Sequence, residues 1–344
     1  MYPIPNASLR HTITKWSASI LVGVAALASA AHAEIREHKI KFAYVTAADT
    51  GKLNGVDKFV ELVKLKSAGK IDIKVFPGGS LGGDVQMISA MQGGTLEMAV
   101  MGPNALVGVV PDFSLLDLPY LVDNEKEASG LIDGAVGKAL FDKLAAKGVV
   151  GMPISAFGFR HLHNSKRPIN RLEDISGLKL RVIQSPVYVD FVKTLDANPV
   201  AMSFTEVYNA MEQKAIDGMT NTALIASSMK AYEVQKYMSL TRHMYNHIVL
   251  LISAKAWDRF NEEEKTLIRQ AADEAKQHQR KLLVDVTEKA IADLKANKMA
   301  VNEVPAGEIA RIKAAAQPVV DKYAKNLSPG LMQMATQEIA AMRK

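Results

Sequence analysis

Two arginines, Arg160 and Arg181, stand in apolar, strand-like stretches of this chain, Gly158-Phe-Arg160 and Gly177-Leu-Lys-Leu-Arg181-Val. A guanidinium in such a setting costs desolvation energy unless an anion pairs with it. It can hold a carboxylate through two parallel N–H bonds, so the chemistry on offer is capture of an organic acid. A segment with helix-capping spacing follows, Ser203-Phe204-Thr-Glu206, and then a polar turn, Asp217-Gly-Met-Thr-Asn221. Nothing between Gly158 and Asn221 has the makeup of a catalytic apparatus. Alternation puts Leu178, Leu180 and Val182 on the face opposite Arg181. Spacing alone leaves a plainer reading open, a strand arginine paired with an acid at the end of a sheet.

Three other patterns carry less. Ser227-Ser-Met-Lys230 satisfies S-x-x-K, but the S-D-N and K-T-G companions of the penicillin-binding enzymes are absent. A helical surface explains it better than a serine nucleophile. His243 and His247 have i, i+4 spacing, yet the residue after His243 is Met where a zincin carries its general-base Glu. With His161 and His163 they read as ordinary histidines, and no metal site is expected. Gly78-Gly-Ser-Leu-Gly-Gly83 lacks the Gly-Lys-Ser/Thr ending of a phosphate loop, and no dinucleotide fingerprint occurs. A tight turn into a helix capped by Asp84 accounts for it.

The elements that must position the arginines alternate in type. Strands are predicted at Ile40–Thr46, Ile71–Phe76, Glu97–Met101, Val149–Phe157, Leu178–Ile183, Pro199–Met202, Gln235–Leu240 and Ile248–Ser253. Helices are predicted at Val56–Ala68, from Asp84 through Met91, and from the Ser203–Glu206 capping box to about Lys214. Asn261-Glu-Glu-Glu264 opens a long amphipathic run to about Asn297, with Leu267, Ala271, Leu282, Val286, Ala290 and Leu294 near one face. Such alternation argues for an α/β architecture, and a helix that long would brace two lobes. No repeat or linker marks a boundary.

The first 33 residues read as an export signal. Arg10 and Lys15 precede an apolar run from Trp16 to Ala30, and Ala31-His32-Ala33 has the form of a cleavage site. The mature chain is then expected to start near Glu34 with 311 residues, enough for two lobes. No later stretch has 18 consecutive apolar residues, so a soluble exported product is expected. There is no cysteine, so stability must come from a core. The formal charge of +6 falls to +4 once Arg10 and Lys15 are removed, and no run of five basic residues occurs. Nucleic acid is therefore not expected as a partner.

Taken together, the chain resembles the DctP-type solute-binding proteins of tripartite ATP-independent periplasmic (TRAP) transporters. The residues that carry the resemblance are Val75-Phe-Pro-Gly-Gly-Ser-Leu-Gly-Gly, Asp117-Leu-Pro-Tyr120, Asn164-Ser-Lys-Arg-Pro-Ile, Gly177-Leu-Lys-Leu-Arg-Val, Phe204-Thr-Glu-Val-Tyr-Asn-Ala, Ile216-Asp-Gly and Tyr232-Glu-Val-Gln-Lys-Tyr. They span nearly the whole mature chain. The resemblance implies a two-lobed α/β periplasmic binding protein, type II-like, each lobe a mixed sheet flanked by helices, with a long helix across both. Lobe I would comprise 34–157 plus about 247–286, and lobe II 158–246 plus about 287–344. The family's signature carboxylate-binding arginine falls at Arg181 and an assisting one at Arg160. Phe204 would wall the ligand, and Asn221 and Gln184 would offer it polar groups.

There are departures. Many relatives read Asp-Gly-Gln-Glu-Asn where this chain has Asp217-Gly-Met219-Thr220-Asn221, and the usual Ala-Leu-Gln-x-Gly becomes Ala210-Met-Glu-Gln-Lys214. The Glu and Arg of the sialic-acid binders are missing from Gly102-Pro-Asn-Ala105, so sialic acid is not expected. What the resemblance implies is periplasmic binding of a small organic acid and its delivery to small and large integral-membrane permease subunits. A monomer with no cofactor, metal or catalytic residue is expected. The Asn-Ser-Lys-Arg-Pro-Ile and Ser-Pro-Val-Tyr stretches resemble the branch that takes sugar acids such as hexuronates; C4-dicarboxylates are the alternative. Two other classes stay in view, a ligand-presenting sensor module with the same pocket and a hydrolase built on Ser227 and Lys230.

Overall fold

The computed structural model describes residues 1–3 and 34–343, so the expected export signal and its cleavage site lie outside the described residues. Nine strands form one sheet: β1 His38–Ala43, β2 Ile71–Phe76, β3 Met98–Met101, β4 Val149–Asn164, β5 Lys179–Val182, β6 Asn198–Ala201, β7 Gly218–Thr222, β8 Tyr237–Ser253 and β9 Ala300–Glu303. The order is β2-β1-β3-β8-β4-β7-β5-β6, with β9 beside β8. Parallel pairs, β2/β1/β3 on one side and β6/β5/β7 on the other, flank two long antiparallel strands. One end of β8 pairs with β3 and the other with β9, so β4 and β8 run through both halves of the molecule.

Both long strands are irregular where they pass between the halves. Their register slips between Pro153 and Ser155, Ala156 and Gly158, and Arg160 and Leu162. Gly158 has φ +82°, a conformation that suits glycine, and Arg242, on β8 across from the slip between Arg160 and Leu162, is left-handed at φ +46°. The sequence pattern predicts Gln235–Leu240 and Ile248–Ser253 as separate strands, but they are the two ends of β8. The Thr241–His247 stretch between them hides that continuity, because Thr241 and His243 are buried by hydrogen bonding instead of by apolar packing. His243 and His247 therefore lie on a strand, and the helical spacing that a zinc pair needs does not exist there.

The long helix spans Glu262–Ala296, opened by a capping box between Asn261 and Glu264. Its first half (Leu267, Ile268, Ala271, Ala272, Ala275) packs in the core that surrounds β1 and β2. Its second half (Leu283, Ala290, Leu294) packs in a different apolar cluster. Leu282, expected on the buried stripe, is exposed, and Leu283 is buried in its place. The stripe passes through Gln279, a polar residue that a search for apolar spacing skips. Gln279 is 1% exposed; its Nε2 donates to Ala156 O (2.7 Å) and its Oε1 accepts from Ala156 N (3.3 Å). That pair satisfies both backbone groups of a residue at a register slip, where the strand ladder cannot.

Two predicted caps are not made. Asp84 is the first residue of the Asp84–Gly93 helix and its side chain does not cap. Ser203 precedes the Phe204–Glu212 helix, which ends short of Lys214, and its hydroxyl meets Thr205 Oγ1 (3.0 Å) instead of a backbone N–H.

Candidate ligand pocket

Arg160 and Arg181 meet in one pocket. Phe204 and Asn221 line it too, with Tyr44, Asn54, Asp84 and Asn246 among the other walls. Gln184 is exposed and lies outside this lining; its neighbour Ile183 takes the place on the wall. Tyr44, Asn54 and Asp84 come from the β1 side of the molecule and are not legible as site residues from their local sequence. The one signal was a polar residue, Asp84, directly after a glycine-rich turn, where helix capping is the simpler reading.

Arg181 sits at register with Val200 on β6 and Met219 on β7, in the middle of a parallel trio. Its side chain leaves the strand on the pocket side and is 3% exposed. Nε and Nη2 both donate to Met202 O, at 3.2 and 2.9 Å, which fixes the plane of the guanidinium. Nη1 makes none of the hydrogen bonds found among the described residues. Phe204 lies beneath, its ring centre 5.8 Å from the guanidinium carbon.

Arg160 is bound more tightly by the protein. Nε donates to Thr220 Oγ1 (3.0 Å), Nη1 to Asn246 Oδ1 (2.6 Å) and Nη2 to Thr220 O. The guanidinium also lies 5.2 Å over the Tyr188 ring. Thr220, a departure from the related pattern, is thus the residue that seats Arg160. The Thr220 hydroxyl also meets His243 Nε2 (3.0 Å), and His243 Nδ1 meets Thr241 Oγ1 (2.8 Å). With Thr220 accepting from Arg160, its own proton is free to go to a neutral His243. Burial agrees, holding the His243 pKa well below its usual value, with Arg160 adding to the effect. Asn221 accepts from Thr222 N (2.9 Å), while its Nδ2 has only Met219 Sδ at 3.8 Å.

The charges in the pocket are dehydrated and incompletely matched. Burial, with Arg160 adding to it, pulls the Arg181 pKa down to about 9, so the guanidinium stays charged at neutral pH at a cost. Burial pushes Asp84 up to about 6, opposed by Arg181, and pushes Asp117 up to about 7, opposed by Arg160. Asp117 also accepts from Tyr188 Oη (3.3 Å) and Ser185 Oγ (3.5 Å). An incoming carboxylate would supply the counter-charge that Arg181 lacks.

The other motifs fall elsewhere. Ser227 donates to Asp293 Oδ2 (2.6 Å), outside the arginine pocket. His161, His163 and His243 are buried, and among the described residues no group of three or more His, Asp or Glu is placed to hold a metal. No helix among the described residues is long and apolar enough to cross a membrane.

A sheet in two halves, a brace helix and an arginine pocket are the marks of a two-lobed solute-binding protein. The family model described as bacterial extracellular solute-binding protein, family 7 (DctP), matches residues 42–326, and the chain belongs to that family. Three relatives illustrate it. The sugar acid binding protein DctPAm from Advenella mimigardefordensis, solved in complex with galactonate, is 34% identical with a TM-score of 0.86 over 90% of this chain and 99% of that one. A TRAP periplasmic solute binding protein from Ochrobactrum anthropi is 41% identical with a TM-score of 0.80 over 90% and 97%. The 2,3-diketo-L-gulonate-binding periplasmic protein YiaO of Escherichia coli is 32% identical over 79% of this chain and 83% of its own.

Proposed function

We propose that this protein captures a sugar acid, hexuronate-like or an aldonate, in the periplasm and delivers it to the small and large membrane subunits of an ion-driven TRAP permease. The observation that carries this is Arg181, a buried guanidinium with two nitrogens fixed on Met202 O and Nη1 left for a ligand. In this reading Arg181 grips the carboxylate, Arg160 adds charge beside it, Phe204 packs on the apolar face of the ligand, and Asn221 offers Nδ2. Gln184 would reach the ligand only after a change of position. The protein binds its ligand without transforming it. The two named relatives whose ligands are sugar acids support the same class.

Lobe I is proposed as 34–157 plus about 247–286 and lobe II as 158–246 plus about 287–344, with the division in the irregular stretch of β4 and β8. Ligand touching both lobes favours the closed form, and a shift from mostly open to mostly closed needs about 5 kcal/mol of differential affinity. Cleavage after Ala33 and a monomeric product complete the proposal. A C4-dicarboxylate is the second reading, favoured by the presence of two guanidinia in one pocket. It is the weaker one, because the Arg160 nitrogens each already hold a protein acceptor.

A thermal-shift screen of the mature protein against sugar acids and dicarboxylates tests the class. A tight ligand at a thousand times its Kd adds about 4 kcal/mol of stability. The expected result is a rise in Tm with galacturonate or galactonate and a smaller one with succinate. A Tm unmoved by any carboxylate would overturn the proposal.

A further inference from the structure

Two polar atoms in the pocket wall lack a partner. Asn54 is 1% exposed, and its Nδ2 is buried with no hydrogen-bond partner among the described residues. Its orientation is not ambiguous. Oδ1 accepts from Val56 N (3.0 Å) at the entry to the Val56–Lys66 helix, and only the oxygen can do that. The Asn54 backbone is pinned as well, its N–H on Thr50 O (2.8 Å) and its carbonyl accepting from Ser155 Oγ (2.8 Å). The second atom is Asp84 Oδ1, also enclosed and unpartnered, on the first residue of the Asp84–Gly93 helix. Both residues line the pocket that holds Arg181. A buried donor and a buried acceptor left unpaired on two residues that line one cavity each carry a desolvation cost until something pairs with them.

We infer that Asn54 and Asp84 read hydroxyl groups of the ligand and set its class as a hydroxylated monocarboxylate. A hydroxyl both accepts and donates, so it can take the Asn54 N–H and give its own hydrogen to the Asp84 carboxylate. A methylene satisfies neither atom. A second carboxylate could accept from Asn54, but it meets the like charge of Asp84, which Arg181 only partly offsets. Sites built to hydrogen-bond a ligand hydroxyl reject analogues without it strongly, because the buried protein groups then stay unpaired. Asp84 thus turns a general carboxylate pocket into one that excludes diacids, in a region that the Met219-Thr220 departure does not touch.

This inference rests on the proposed sugar-acid reading, and the experiment separates the two. Affinities of galactonate, hexanoate and adipate are measured by calorimetry, with competition for weak ligands, on the wild type and on Asp84→Asn and Asn54→Asp. Both changes are isosteric, and Asn54→Asp keeps the oxygen that holds Val56 N. The wild type is expected to prefer galactonate over both others by at least a hundredfold. Asp84→Asn is expected to reduce the galactonate-to-adipate preference at least tenfold. Asn54→Asp adds a charge that weakens every anion, and it is expected to weaken galactonate at least tenfold more than hexanoate. If either variant shifts all three ligands by one common factor, or shifts none, the assignment is wrong. If the wild type binds none of the three, the sugar-acid reading itself fails.

Discussion

Thr220 shows how one side chain sets the charge of the site. Thr220 seats the guanidinium with one hydroxyl and one carbonyl and leaves its charge intact. Thr220→Val keeps the shape but strands Arg160 Nε and His243 Nε2. It should cost about 1–3 kcal/mol of stability, measured by urea unfolding, and weaken ligand binding as well. Asp84 gives a pH-dependent prediction. Its folded pKa, about 6, lies above the ordinary 3.8, so the folded state binds the extra proton between these values. Stability from this group is full below about pH 4 and is lost as the pH rises through 6. Asp84→Asn removes that loss. The ligand-free variant should be more stable than the wild type by about 3 kcal/mol at pH 8, by roughly half of that at pH 5, and the gain should fade only below about pH 4. A gain that is equal at both pH values would contradict burial of the Asp84 charge as its cause. Such a stabilising change at a site is the usual mark of a group kept for binding.

The supporting elements were legible where apolar spacing is regular and obscure where polar groups are buried. β2 matches its predicted bounds, and the Asn261–Glu264 capping box opens the long helix as expected. β8 was obscure because Thr241 and His243 are buried by hydrogen bonds, and the helix stripe was misplaced at Leu282 because Gln279 belongs to it. Arg160 and Arg181 were visible as arginines in apolar strands, but their meeting depends on β4 and β5 being brought together through β7. Asn54 and Asp84 carried no such signal. Gln279→Leu should therefore destabilise the protein by about 1–3 kcal/mol in chemical denaturation, since both Ala156 backbone groups lose their partner. The glycine-rich turn also has a positional role. A Cβ on Gly83 would lie 2.6 Å from Ser203 Oγ, and one on Gly79 would lie 2.4 Å from Thr205 Cγ2. The turn thus packs directly against the start of the Phe204–Glu212 helix. Gly83 has φ −78°, so substitution there adds bulk without backbone strain. Gly83→Val should weaken ligand binding about tenfold or more by propping this seam open, with little loss in the Tm of the ligand-free protein. X-ray scattering with saturating ligand should show a larger radius of gyration than for the ligand-bound wild type.

At the scale of the whole molecule, one sheet serves two halves, and the pocket takes its arginines from one half and its unpaired polar wall from the other. Ser228 Oγ donates to Asp49 Oδ1 (2.9 Å) between the same two halves. β4, β8 and the Glu262–Ala296 helix are the continuous elements through which the halves are linked. In the proposed account the cleft opens by bending at the register slips, and a ligand that satisfies groups on both sides would couple binding to closure. All of this depends on Arg181 gripping a carboxylate. The most direct measurement is a calorimetric titration of the best ligand from the thermal screen into wild type, Arg181→Lys and Arg181→Ala. Lysine keeps the charge but cannot hold Met202 O and a carboxylate in one plane. The expected result is a loss of at least tenfold for lysine and at least a hundredfold for alanine, with both variants folded. A loss much below tenfold in both would contradict the account.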